Sequence, residues 1–277
     1  VAAARQCDER LHERTLRRTV GRDGIAALAD GTDGGGGDAL HWTPVEGEDG
    51  LGVTGRAFAE AAQGPNAAAP GAFFARLPPD AQNVVRSQVW DLARDATGVA
   101  VPFVTNATTI ALNWSMASTC SQLWHMSASG ACGADLFRWD PNATEQIAGA
   151  AERGRGAYRF VGAANVFPAG SGSAAFTFAT DLAVAPDGAP SRYLLFLALR
   201  GKVAAAAVGV EDGATVTIAR DPAFATDGIT MHGRRPVVWY GTSIDQGGVA
   251  SRPGSTYTNI LTRALRRNVL NFGFAGN

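Results

Sequence analysis

The last forty-odd residues, Arg235 to Asn277, constrain the fold more than any other stretch of the chain. A β-branched and aromatic run, Val237-Val238-Trp239-Tyr240, enters a Gly-rich turn carrying Ser243. Ile260, Leu261, Ala264 and Leu265 then recur at three- and four-residue spacing, and a second apolar run follows from Val269 to Phe274. Strand, helix and strand in that order predict one βαβ unit. In open α/β sheets, ligands bind just beyond the C-terminal ends of the strands, which is where Ser243 and Gly276 fall. Two parallel strands and one helix leave a sheet edge and a sheet face bare. More protein is therefore expected to cover the unit: a continuation of the polypeptide, a separate chain, or the preceding part of this one.

That preceding part has a different texture. Between residues 41 and 234, short apolar or alternating runs are separated by turn clusters such as Pro78-Pro79-Asp80 and Glu211-Asp212-Gly213. The runs include Gly98–Val104, Thr109–Met116, Ala157–Val161, Ala174–Leu182, Tyr193–Leu199 and Thr215–Ile218. Many short strands without helical periods between them predict an antiparallel β-sandwich. Ala204 to Ala207 favour a helix on propensity alone, but valines on both sides place them in a strand. Residues 142–155 read as a loop or short helix inserted between strands. Residues 1–40 read as a charged surface helix with a thin stripe of Leu11, Leu16 and Val20, followed by the flexible linker Gly31–Ala39. Residues 235–277 start a new domain after the proline of His232-Gly-Arg-Arg-Pro236.

Composition narrows the function classes. Lys and Arg (24) nearly cancel Asp and Glu (25), so no overall field favours nucleic acid. No apolar run approaches the roughly 18–20 residues needed to span a bilayer. Sequons at Asn106, Asn113 and Asn142 point to a secretory route and an extracellular, glycosylated protein. Cys120 and Cys132 are spaced to close a hairpin-sized disulfide, or else all three cysteines are buried thiols. In a secreted protein, the leftover Cys7 implies a mate elsewhere. No Cys/His spacing fits zinc, and the acidic group Glu46-Gly-Glu-Asp49 lacks the ligand spacing of a calcium loop and reads as solvated. Gly31–Gly37 has neither the strand nor the Lys-Ser/Thr of a phosphate loop. No metal or cofactor is expected.

Ser243 is the leading candidate for chemistry. It lies in Gly241-Thr-Ser-Ile-Asp-Gln-Gly247, which is not a G-x-S-x-G elbow because Asp245 stands where that motif has glycine. The text GTSIDQGGVASRPGSTYTNILTRAL followed by VLNFGFAGN resembles the SGNH/GDSL hydrolase superfamily, in the subgroup whose first block reads Gly-Thr-Ser-Ile-x-Gln-Gly. Upstream, FFARLPPDAQNVVRSQVWDLARDATG, HMSASGACGADLFRWD and YRFVG resemble the β-sandwich that precedes the hydrolase domain in that subgroup. The resemblance implies a mainly β fold: a jelly-roll-like antiparallel sandwich, then the first βαβ unit of a flavodoxin-like α/β hydrolase domain. It makes Ser243 the nucleophile of a serine esterase, with its own amide and that of Gly276 as oxyanion donors. It also suggests that Arg252 braces the loop over the site and that Asp245 caps it.

The superfamily's remaining elements, an Asn and an Asp-x-x-His pair, lie further downstream than Asn277. All four histidines here (His12, His41, His125 and His232) precede Ser243, and each is better suited to packing or hydrogen bonding than to acting as its base. The 277 residues alone are expected to be inactive unless something completes them. Two functions follow. One is an extracellular esterase acting on acetyl-like esters of carbohydrate, with Trp42, Trp90, Trp114, Trp124 and Trp139 available to stack on sugars. The other is a non-catalytic extracellular glycoprotein whose sandwich binds glycan or assembles with copies of itself.

Overall fold

The computed structural model describes residues 40–47, 50–58, 72–120, 124–144, 156–164, 167–168, 172–183, 188–218 and 235–277. The expected N-terminal helix and linker, Cys7, His12, His232, the joint at 232–234 and most of the 142–155 insertion lie outside them.

Two antiparallel sheets form the larger part. One has the order β1-β8-β3-β6, made of β1 (Leu40–Pro44), β8 (Val203–Glu211), β3 (Ile110–Met116) and β6 (Ser173–Ala179). The other has the order β5-β4-β7-β2-β9, made of β5 (Ala157–Ala163), β4 (Asp135–Asp140), β7 (Ser191–Phe196), β2 (Ala100–Thr105) and β9 (Val216–Ile218). Apart from the short edge strand β9, these strands follow the two interleaved Greek keys of a jelly roll, as expected.

The core between the sheets follows from strand alternation. Ile110, Leu112, Trp114 and Met116 on β3 meet Val101 and Phe103 of β2 and Tyr193 and Leu195 of β7. The polyalanine run is a strand, with Ala206 directly opposite Trp114 in the register of β3 and β8. Small residues suit a strand hemmed in by large neighbours, and this tertiary demand overrides helix propensity.

Two short helices were not legible in the sequence. α1 (Ser87–Ala93) and α2 (Ala128–Cys132) span too few turns to display a period. In α2 the Ser127 hydroxyl accepts from Gly130 N at 3.0 Å, and the helix is tied down by a disulfide between Cys120 and Cys132, whose Cα atoms are 5.7 Å apart.

The central strands of the second sheet are buried on both faces. The outer side of this sheet carries Ala100, Phe137, Tyr158, Leu194 and Phe196 as a separate apolar cluster, and the C-terminal unit covers it. That double burial explains why Tyr193–Leu199 reads as continuously apolar rather than alternating. The covering unit comprises β10 (Val237–Gly241), α3 (Ser243–Gln246), α4 (Tyr257–Leu265) and β11 (Val269–Gly273). β10 and β11 run parallel, from Val237 opposite Val269 to Gly241 opposite Gly273. The Arg263 guanidinium lies 3.9 Å from the centre of the Phe137 ring, and that of Arg266 lies 5.5 Å from Trp139.

α4 corrects the expected apolar stripe. Its buried residues are Thr258, Asn259, Thr262 and Ala264, while Ile260, Leu261 and Leu265 are only half-buried. The polar face can be buried because most of its groups are paired, Asn259 Oδ1 being the exception. Thr262 Oγ1 donates to Thr258 O at 3.0 Å, Asn259 Nδ2 to Pro253 O at 2.9 Å, and Thr258 Oγ1 accepts from Asn271 Nδ2 at 3.0 Å.

Arg76 joins the two parts. Its side chain is wholly buried and donates to Asn271 O and Gly273 O, each at 2.9 Å, and to Leu92 O at 2.6 Å. It thereby satisfies the carbonyls along the edge of β11 that β10 does not use. Burial lowers its pKa to about 10, with nearby Asp95 opposing that shift, so it stays charged at neutral pH. β10 has no such cover: Val238 is 59% exposed and Tyr240 80%, and among the described residues it pairs with β11 alone. Replacing Arg76 by Met should leave the buried carbonyls of Asn271 and Gly273 short of a donor and destabilise the fold by about 3 kcal/mol or more. Equilibrium denaturation measures this, and an unchanged midpoint would contradict it.

Candidate functional site

Ser243 is the first residue of α3, directly past the end of β10, and its side chain is exposed. Its hydroxyl has no hydrogen-bond partner among the described residues. The turn beneath it is built on Asp245. One oxygen of this carboxylate accepts from Trp239 Nε1 at 2.8 Å and from the Tyr257 hydroxyl at 2.5 Å. The other accepts from Thr242 N at 2.9 Å, closing the first turn of α3 from below. The Tyr257 hydrogen bond, with that of Trp239, holds the Asp245 carboxyl below the usual carboxylate range. Burial and the same carboxylate push the Tyr257 phenol upward. Asp245 thus forms a capping box with Thr242 at the start of α3.

Two glycines are required by this packing. A Cβ on Gly241 would lie 2.0 Å from the Asp245 carboxylate, and one on Gly273 would lie 2.1 Å from Gln246 N. The glycine before Ser243 thus makes room for a side chain, rather than simply loosening the turn.

Gln246 is fully buried and connects three parts of the molecule. Its Nε2 donates to Asp95 Oδ2 at 3.1 Å and to Leu199 O at 3.3 Å, both in the sandwich. Its Oε1 accepts from Ala275 N at 2.9 Å, in the loop after β11. Asn271 adds a further tie, donating from Nδ2 to Asp245 O at 2.7 Å and accepting Gly273 N at Oδ1 at 2.9 Å. Gly276 follows Ala275 in that loop, exposed, with φ +76°. It lines a basin of about 970 Å³ whose other wall is Arg86, Ser87, Gln88 and Asp91 of the sandwich.

The loop from Ala250 to Gly254 is clamped by the sandwich. Ser127 and Ser129 donate to Ser251 O at 2.7 and 2.6 Å. Asp135, wholly buried, accepts from Gly254 N at 2.9 Å. Arg252 lies 3.8 Å from Asp135 and places its guanidinium 4.0 Å from the Phe160 ring centre, so it braces this loop against the sandwich. Burial pushes the Asp135 carboxyl up to about 6 and that of Asp95 up to about 6.

Other sequence candidates scatter. Asn142 is exposed, whereas Asn106 is half-buried, its Oδ1 accepting from Thr215 N at 2.9 Å. Asn113 corrects the sequon reading: it lies within β3 between two neighbouring strands at 4% exposure, out of reach of a glycan. Trp114 is core at 1% exposure, whereas Trp124 is 95% exposed. His41 lies on β1 and His125 packs edge-on against Trp124. Glu46 is not simply solvated, because it accepts from Ala206 N at 3.2 Å and burial raises its pKa to about 7. Among the described residues no cluster of three or more metal-ligating side chains occurs. Gln246, Asp95, Asp135 and Arg76 were not singled out in the sequence, although all four stand inside the quoted family blocks.

Family models agree with this layout. The GxDLY model, the N-terminal region of SGNH-hydrolase-type esterases, matches residues 60–216. The GDSL-like lipase/acylhydrolase model matches residues 234–277. The chain belongs to the SGNH/GDSL hydrolases. The signature of its N-terminal region reads here Gly133-Ala-Asp-Leu-Phe137, and Asp135 within it is the residue that clamps Gly254. Among solved structures, a GDSL-like lipase from Bacteroides ovatus aligns with TM-score 0.64 and 23% identity over 86% of this chain and 57% of that one. A salicylyl-acyltransferase of a tetracycline biosynthetic pathway aligns with TM-score 0.44 and 13% identity over 73% of this chain and 46% of that one. This SGNH/GDSL chain thus spans little more than half the length of the first of these. No curated protein sequence matches it.

The buried carboxyls set a pH dependence for the SGNH/GDSL chain. Asp95, Asp135 and Glu46 have folded-state pKa values raised above their unfolded ones, so their contribution is greatest at low pH and is lost as pH rises from about 4 to about 7. Asp245, Asp91 and Glu211 are shifted down, so their contribution is lost as pH falls below the usual carboxylate range. Thermal stability should therefore peak near pH ~5 and fall by roughly 2 kcal/mol or more towards pH ~8. Melting curves across that range test this, and a maximum at or above neutrality would refute it.

Proposed function

We propose that this protein is a serine esterase that removes small acyl groups, such as acetyl, from carbohydrate outside the cell. The observation that carries this reading is the exposed Ser243 hydroxyl at the head of α3, unpaired among the described residues, on a turn locked from beneath by Asp245. Ser243 Oγ attacks the ester carbonyl carbon, and the carbonyl π electrons move onto oxygen. The amides of Ser243 and Gly276 donate to that oxyanion. Collapse expels the alcohol and leaves an acyl-serine, which water then hydrolyses.

A base must take the Ser243 proton, and no hydrogen bond joins Ser243 to either described histidine, His41 or His125. We assign that role to protein beyond these 277 residues, which also continues the sheet at the bare edge of β10. Val238 and Tyr240, exposed beside that edge, support this assignment. The disulfide and the exposed Asn142 support an extracellular setting, and exposed Trp124 offers a face for a sugar ring.

The test uses the complete natural polypeptide containing this sequence. It should hydrolyse an acetyl ester and label with a fluorophosphonate at Ser243. Ser243→Ala should lower turnover at least ~10³-fold and abolish labelling while leaving the melting temperature unchanged. Equal turnover in that variant would sink the reading. Silence of the native protein towards both reagents would favour the non-catalytic glycoprotein.

A further inference from the structure

We propose that Gln246 is a positioning residue through which the sandwich fixes the Ala275–Gly276 turn, aiming the Gly276 N–H into the crevice beside Ser243. The proposal rests on the esterase reading and adds to it the part played by the N-terminal domain.

The orientation of the Gln246 amide follows from its neighbours. Ala275 N can only donate, so the atom 2.9 Å from it must be the oxygen. Leu199 O can only accept and ionised Asp95 only accepts, so both require the NH2 group, which lies 3.3 and 3.1 Å from them. The three partners agree, and a flipped amide would oppose all of them. Leu199 O is itself held by Thr97 Oγ1 at 2.6 Å, so the anchor is part of the rigid sandwich.

The same hold reaches Gly276. Ala275 is fixed at both backbone groups: its N–H by Gln246 and its carbonyl by Asn277 Nδ2 at 3.0 Å. In a trans peptide the N–H of the following residue points opposite that carbonyl. Fixing the Ala275 carbonyl therefore fixes the direction of the Gly276 N–H. Gly276 has φ +76° and no atom within 4 Å of where a Cβ would stand, and the turn that contains it is closed locally by Asn277 N donating to Phe274 O at 3.1 Å, so the bond from Ala275 N to Gln246 is what ties that turn to the rest of the protein. Gln246 lies three residues from Ser243 on the same short helix, so one side chain ties the serine turn to the loop of the second donor.

Gln246→Met and Gln246→Ala test this in the complete natural polypeptide. Hydrogen–deuterium exchange of the segment 274–277 should speed up about tenfold or more, while strands β2, β3, β7 and β8 exchange as before. With an acetyl ester, kcat should fall about 10–100-fold at unchanged KM, the pattern of a donor lost mainly from the transition state. Asp95→Asn, which keeps an acceptor for Gln246, should change the exchange at 274–277 less than either Gln246 variant does. Unchanged exchange at 274–277 in a folded variant would overturn the proposal, as would a kcat equal to that of the parent. Unfolding of both Gln246 variants would also overturn it, because the bond would then belong to the fold rather than to the site. If the parent itself hydrolyses nothing, the esterase reading fails, and the exchange measurement still decides whether Gln246 holds the turn.

Discussion

A single buried guanidinium sets how the two parts of this molecule meet. Arg76 takes no exposed carboxylate partner; it donates instead to three backbone carbonyls, two of them on the edge of β11. A parallel strand ordinarily satisfies such an edge with another strand. Here the sandwich supplies a side chain instead: one terminal nitrogen of the Arg76 guanidinium donates to both β11 carbonyls, and the other tine of the rigid fork donates to Leu92 O. The β11 edge is thereby closed to further pairing, and any growth of the sheet is directed to the opposite edge, at β10.

The rest of the interface follows the same polar logic. Asp135 receives Gly254 N, Ser127 and Ser129 reach Ser251 O, and Gln246 reaches Asp95 and Leu199. Each bond joins a side chain of one part to backbone or to a buried side chain of the other. Apolar cover comes mainly from the aromatic outer face of the second sheet, over whose rings the Arg263 and Arg266 guanidinium groups stand. Apolar burial there favours association, while the directional bonds fix its register. The catalytic-type turn rests on this interface, since Gln246 and Asn271 reach it from the side facing away from solvent.

Much of the fold was legible in the sequence because periodicity reports burial. The strands of the sandwich follow from alternation in β3, and the βαβ unit from its two apolar runs around one helix. The Ser243 block marks the candidate turn through its family resemblance alone. What the sequence concealed was mostly polar. The buried face of α4 is threonine and asparagine, so its apolar positions pointed to the wrong side. Arg76, Asp95 and Asp135 look like surface charges until their partners, which lie far along the chain, are known. Asn113 looked like a glycan acceptor because a sequon carries no information about strand position. Helices of five and seven residues leave no period to read.

The bonds of Arg76 also order events in time. They join residues separated by 195 and 197 positions, so they cannot form until β11 has been synthesised. The sandwich strands precede β10 and can close their own core first, as domains made early in synthesis generally do. During that interval the outer face of the second sheet and the Arg76 guanidinium stand in water. The C-terminal unit then folds against an existing surface rather than alone, which removes much of the loop-closure cost of assembling a parallel pair. The N-terminal domain thus acts as a template for the first layer of its neighbour.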